Sequence, residues 1–154
     1  MNKLSTHNYI KTIDILDKLN QCFLNAVKKK LEHIEIFDIT PIQAMILYRI
    51  HKNMVSIGEI NKDGYYQGSN SSYNINKLIK NEYIHKNKNQ HDKRSNFVTL
   101  SKKGLELWKN LDSVIMSQVD KLTLAEIDDI TMDNTMYVLN KIEYTLMSCS
   151  EKEK

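Results

Sequence analysis

The chain is poor in the residues that bend and staple a backbone. One proline and four glycines in 154 residues are too few for a turn-rich all-β fold, so helix is expected to dominate. No run of about 18 apolar residues occurs, and no membrane span is expected. The start, Met1-Asn2-Lys3-Leu4-Ser5-Thr6-His7, lacks the apolar core of a signal peptide, so a cytoplasmic location is expected. Cys22 and Cys149 are too far apart for a metal-ligand spacing and are expected there as reduced thiols. His7, His33, His51, His85 and His91 form no ligand cluster, so neither metal nor cofactor is expected. A Gly-rich phosphate loop is missing, as is a Ser/His/Asp set that the fold would bring together; the chain is not expected to be an enzyme.

What is present is a globular composition, 41% hydrophobic and 27% charged, at a length for one domain with added oligomerisation segments. The formal net charge of +3 is unevenly spread: residues 1–61 balance at +2, residues 62–103 at +6 and residues 104–154 at −5. Positive charge gathered in one segment favours a polyanion partner over a uniformly basic surface.

Within that segment lies Gly68-Ser69-Asn70-Ser71-Ser72-Tyr73-Asn74-Ile75-Asn76-Lys77-Leu78-Ile79-Lys80. As a helix it is expected to turn Tyr73, Ile75, Leu78 and Ile79 toward a core. The opposite face then holds Ser, Asn and Lys, with no carboxylate. Small hydrogen-bonding side chains suit base edges in a groove, and lysines toward the end suit phosphates. A merely solvated face looks much the same, so the flanking elements decide.

Ile10, Ile13, Leu16, Phe23, Leu24, Val27, Leu31 and Ile34 recur at three- and four-residue steps, the mark of a long amphipathic helix. One small domain cannot cover so long a stripe, so part of it is expected to face a second chain. Thr40-Pro41-Ile42-Gln43 is a helix start: Thr40 caps, Pro41 suits the first helical position and Gln43 closes a capping box. A second box, Ser56-Ile57-Gly58-Glu59, opens a short helix that Asn61-Lys62-Asp63-Gly64 ends. With the Ser/Asn helix after it, this makes a helix-turn-helix whose second member is the reader. Tyr83–Lys88 and Asn96–Leu100 read as strands on either side of a polar tip, Asn89-Gln90-His91-Asp92-Lys93-Arg94-Ser95. Strand, basic tip and strand form a wing. Arg94 suits a narrow A·T minor groove, and Asp92 can pair with it and restrict its rotamers. Ser101-Lys102-Lys103-Gly104 starts the next helix, and Thr123-Leu124-Ala125-Glu126 reads as a third capping box opening the last one.

This order of elements resembles the MarR family of bacterial winged-helix transcription regulators over nearly the whole chain. Thr40-Pro41-Ile42-Gln43, Asp92-Lys93-Arg94-Ser95 and Val98-Thr99-Leu100-Ser101-Lys102-Lys103-Gly104 carry the likeness. It implies a mainly α fold with a small β wing: an N-terminal dimerisation helix over 1–37, a winged helix-turn-helix over 38–104 and C-terminal dimerisation helices over 105–154. It implies a homodimer on a pseudo-palindromic double-stranded DNA site, with the reading helix in the major groove and each wing in the minor groove. The DNA-binding residues are then Ser69, Asn70, Ser71, Ser72, Asn74, Asn76, Lys77, Lys88, Lys93 and Arg94, with Asp92 positioning the wing. Two positions depart from the family. Its usual glycine at the end of the reading helix is Glu82 here, so Asn81 is expected to take the left-handed conformation. Asn61 stands where the family has a small apolar residue.

Members of the family respond to phenolic ligands, oxidants or metals, so a small-molecule effector is compatible, although no residue specifies one. Leu19-Asn20-Gln21-Cys22-Phe23 resembles the cysteine-bearing first helix of peroxide-sensing members, which makes Cys22 a candidate redox sensor. The competing classes are an architectural, nucleoid-type DNA binder of low specificity, and an interaction module that has lost DNA binding; the +6 segment argues against the second. With no arginine to grip guanine, the reading helix is expected to prefer an A·T-rich operator.

Overall fold

The computed structural model describes residues 3–50, 55–56, 69–88 and 96–150. Among them the order is α1 (Thr6–His33), α2 (Pro41–Ile50), β1 (Val55–Ser56), α3 (Ser69–Lys80), β2 (Ile84–Lys88), β3 (Asn96–Leu100), α4 (Lys102–Leu124) and α5 (Asp129–Ser150). The expected mainly α fold with a small β wing forms. Contacts divide the chain into two compact units, Met1–Val114 and Ile115–Lys154.

The first unit is built on α2. The Thr40 N–H donates to Gln43 Oε1 at 3.0 Å and the Gln43 N–H to Thr40 Oγ1 at 3.2 Å, the reciprocal capping box that the sequence implies. From Gln43 to Leu47 every residue is buried, because α2 packs against α1, α3 and β3 at once. Val27 and Leu31 of α1, Ile75 and Leu78 of α3, Ile84, Val98, and Leu107 and Leu111 of α4 complete this core, with Tyr83 beside them. The first half of α1 is different. Ile10, Ile13, Ile15 and Leu19 stay exposed, in keeping with a stripe too long for one domain to cover.

The sheet has the order β1-β3-β2 and is antiparallel throughout. Ile84 pairs with Leu100 and Lys88 with Asn96, which is the expected hairpin. The third strand was not legible: Val55 lies opposite Val98 and Ser56 opposite Phe97, and two residues offer no period to read. The helix expected from Ile57 and the stop at Asn61–Gly64 lie outside the described residues.

Three helices end alike. Glu35, Glu82 and Glu126 have φ of 57°, 63° and 61°. Their N–H groups donate to Glu32, Ile79 and Thr123, while the next residues donate to Leu31, Leu78 and Leu122. This is the Schellman pattern with glutamate where glycine is usual. The expectation for Asn81 is therefore corrected: Asn81 keeps its helical bond to Lys77 at 3.0 Å, and Glu82 turns left-handed. The reason lies one residue on, where Tyr83 must enter the core beside Leu78, both nearly inaccessible. A left-handed residue with a Cβ is strained, so Glu82→Gly should stabilise the protein by about 1 kcal/mol. The check is a raised urea midpoint at unchanged slope.

The second unit corrects another start signal. Thr123 does not cap; its hydroxyl donates back to Val119 O at 3.0 Å, because Thr123 sits in the last turn of α4. The cap is Asp128, whose Oδ1 accepts the Thr131 hydroxyl at 2.6 Å and the Thr131 N–H at 2.8 Å. The hydroxyl bond first, then the backbone bond, holds the Asp128 carboxyl below its ordinary range. Leu124, Ile130, Met136, Tyr137, Val138, Tyr144 and Met147 remain exposed.

Candidate nucleic-acid interface

The helix α3, expected to be the reader, is seated by Ser71, Asn74, Ile75 and Leu78, a helical stripe facing inward. Two polar residues expected outside are thus inside, Ser71 at 3% and Asn74 at 9% exposure. Tyr73, expected in the core, is 63% exposed. The helix is turned from the phase that apolar residues alone imply, and Gln43 supplies the reason. This side chain, 3% exposed, uses its carbonyl in the capping box and donates its Nε2–H to Asn74 Oδ1 at 3.1 Å. A buried amide without a partner costs about 1–3 kcal/mol. The polar pair therefore sets the phase of α3 together with Ile75 and Leu78.

The outward face then consists of Asn70, Ser72, Tyr73, Asn76 and Lys80, with Lys77 half-buried at its edge. No carboxylate occurs between Ser69 and Lys80. Lys77 and Lys80 occupy the last turn, where cations also suit the negative end of the helix. Hydrogen-bonding side chains in the first turns and cations in the last fit base edges and phosphates respectively.

A cluster that the sequence reading missed anchors the far end of α3. Asp38, between α1 and α2, accepts the Tyr83 hydroxyl on Oδ1 at 2.8 Å, and its backbone carbonyl accepts Asn81 Nδ2–H at 2.6 Å. Lys103 Nζ lies 3.3 Å from Asp38 Oδ2, donates to Asn81 O at 3.0 Å, and sits 3.9 Å over the Tyr83 ring. Burial, and then the Asp38 bond and charge, push the Tyr83 hydroxyl above its ordinary range, so it remains a donor at neutral pH. The Asp38–Lys103 pair is half-exposed and contributes about 0–1 kcal/mol; its effect is to fix where α3 ends. Ser101 does the same from the position just before α4. Its hydroxyl lies 2.6 Å from Glu82 O and 3.0 Å from Tyr83 O, and it accepts the Gly104 N–H at 2.9 Å.

α2 and α4 are clasped through Tyr48. Its ring stacks on Trp108 with centroids 5.4 Å apart, its carbonyl accepts the Trp108 Nε1–H at 3.0 Å, and its hydroxyl donates to Asp112 at 2.8 Å. Burial and then Asp112 raise that hydroxyl to about 12.

The remaining expected residues divide simply. Ser69 opens α3 and Lys88 ends β2, while Asp92, Lys93 and Arg94 of the wing tip lie outside the described residues. On the strands leading there, Lys86 is exposed and Asn87 Nδ2–H donates across to Thr99 Oγ1 at 3.0 Å. Cys22 is exposed and free on α1. Among the described residues no helix is long and apolar enough to cross a membrane.

Residues 39–104 match the winged helix DNA-binding domain family. The exopolysaccharide II synthesis transcriptional activator ExpG of Rhizobium meliloti (strain 1021) is 29% identical over 135 residues, 88% of this chain and 70% of ExpG. The structure of Streptococcus pneumoniae FabT in complex with DNA superimposes with a TM-score of 0.70 at 17% identity, covering 92% of this chain and 99% of FabT. Staphylococcus aureus MarR in complex with salicylate and kanamycin gives 0.65 at 22% identity, covering 93% and 95%.

Proposed function

We propose that this chain is a winged-helix protein of the MarR type and acts as a homodimeric transcription regulator on a pseudo-palindromic double-stranded DNA site. The observation that carries the reading is the outward face of α3: Asn70, Ser72, Asn76, Lys77 and Lys80 without a carboxylate, inside a matched DNA-binding domain. In this reading α3 lies in the major groove, and Lys88, Lys93 and Arg94 bring the wing to the flanking minor groove with Asp92 orienting Arg94. Ser69 opens that helix. Ser71 and Asn74 support the helix rather than touch bases. The absence of arginine from α3 favours an A·T-rich operator.

Exposed apolar residues on α1, among them Ile10, Ile13 and Leu19, and on α5, among them Met136 and Tyr137, support a homodimer, since so much apolar surface on terminal helices asks for cover. Residues 1–37 and 105–154 would supply that interface around the 38–104 reader. The salicylate-bound S. aureus MarR supports an effector response as part of the same proposal.

Selection of bound fragments from genomic DNA tests it. A symmetric motif with half-sites about one helical turn apart is expected. Random fragments held with a steep salt dependence would favour an architectural binder instead. On the selected site, Arg94→Ala is expected to weaken binding by about 1–3 kcal/mol; undiminished affinity in a gel-shift titration would remove the wing from the mechanism.

A further inference from the structure

We infer that Tyr73 is a base-reading side chain that recognises thymine in the major groove through its 5-methyl group. The inference rests on the assignment of α3 as the reading helix and names what that helix reads. Tyr73 is the one aromatic residue between Ser69 and Lys80, and its ring is 63% exposed although the inner face of the same helix packs a dense core. It stands in the middle of the outward face, one turn after Asn70 and one turn before Asn76, with Ser72 beside it. A single exposed aromatic needs no explanation by itself. At the centre of a face otherwise made of Asn, Ser and Lys it is a different matter, because it brings apolar area to the surface that would meet the bases.

The chemistry selects the partner. In the major groove the thymine methyl is the apolar group among base edges that otherwise offer donors and acceptors. A tyrosine ring reaches it with two side-chain torsions to order, a small entropic penalty for a large contact. Its aim is set from behind, since the adjacent Asn74 is held by Gln43 at 3.1 Å, which fixes the rotation of α3. The neighbours agree with the assignment: Asn70 and Asn76 have the amide geometry that pairs with adenine, so the ring and the amides together specify A·T pairs from both strands.

The test replaces each thymine of the selected half-site by deoxyuridine, which removes the methyl and leaves every hydrogen-bonding group. Wild-type protein is expected to lose about fourfold in affinity at one position. Tyr73→Ala is expected to bind the thymine duplex several-fold more weakly and to lose the distinction between thymine and uracil there. Tyr73→Phe should keep it. Because the ring is exposed, urea unfolding of Tyr73→Ala should match wild type, separating a lost contact from a lost fold. Unchanged affinity of Tyr73→Ala overturns the inference, as does a preserved thymine preference, or a loss that is equal on unrelated DNA. Wild-type protein that selects a site but ignores the uracil substitution sinks the thymine contact alone. Wild-type protein that selects no site sinks the reading-helix assignment and the contact with it.

Discussion

Gly104→Ala is expected to destabilise the fold by about 3 kcal/mol or more. A Cβ at this position would lie 2.0 Å from Tyr83 O and 3.1 Å from Tyr83 C, with Leu100 Cδ2 at 3.5 Å. The obstacle is backbone, and that backbone is already held: Tyr83 O accepts the Ser101 N–H at 3.0 Å and lies 3.0 Å from the Ser101 hydroxyl. Moving it away would pull Tyr83 from the core and loosen the left-handed turn that ends α3. Urea unfolding measures the effect. Lys103→Ala, next to it and exposed, serves as control and should cost no more than about 1 kcal/mol. A Gly104→Ala midpoint close to that of the control would mean that the strand shifts freely, and that α4 does not anchor the end of α3.

Gln43→Leu should cost about 2–4 kcal/mol, the sum of a lost cap and an abandoned buried amide. Leucine keeps the volume, so packing is not the main loss. What goes is the acceptor for the Thr40 N–H at 3.0 Å and the donor to Asn74 Oδ1 at 3.1 Å. Removing both partners of a buried pair costs less than stranding one of them. The Gln43→Leu/Asn74→Leu double variant is therefore expected to be less destabilised than the two single variants added together, by more than 0.5 kcal/mol. Additive values would show that the two amides do not depend on each other. Folded Gln43→Leu protein should also bind its DNA site more weakly than its folded fraction accounts for, because α3 loses the contact that sets its rotation.

These residues show where local pattern stops being informative. Thr40-Pro41-Ile42-Gln43 announced a capping box, and the box forms. The second function of Gln43 was hidden, since its partner lies 31 residues away and no local spacing encodes it. The same gap misplaced Tyr73. Counting apolar residues puts a tyrosine inside and asparagine outside, and that rule fails when a buried amide on the neighbouring helix needs a polar partner more than the core needs a ring. The Thr123-Leu124-Ala125-Glu126 signal failed differently: the pattern of a box occurred within the last turn of a helix, where Thr123 had no extended backbone from which to cap. Asp38, Asn81, Tyr83 and Lys103 were unreadable as a group because three separate elements bring them together.

By itself the sequence determined the class of fold, the order of the described helices and of the β2–β3 hairpin, the α2 and α4 starts, and the segregation of positive charge into residues 62–103. Each of these rests on local preference or simple composition: capping, apolar period, breaker scarcity and charge count. Tertiary structure alone decided which face of α3 looks outward, that Glu82 rather than Asn81 ends it, and that Gln43 holds its middle and Asp38 its C-terminal end. Those outcomes depend on satisfying buried polar groups across elements distant in sequence. Such a requirement comes into being only once the elements have packed.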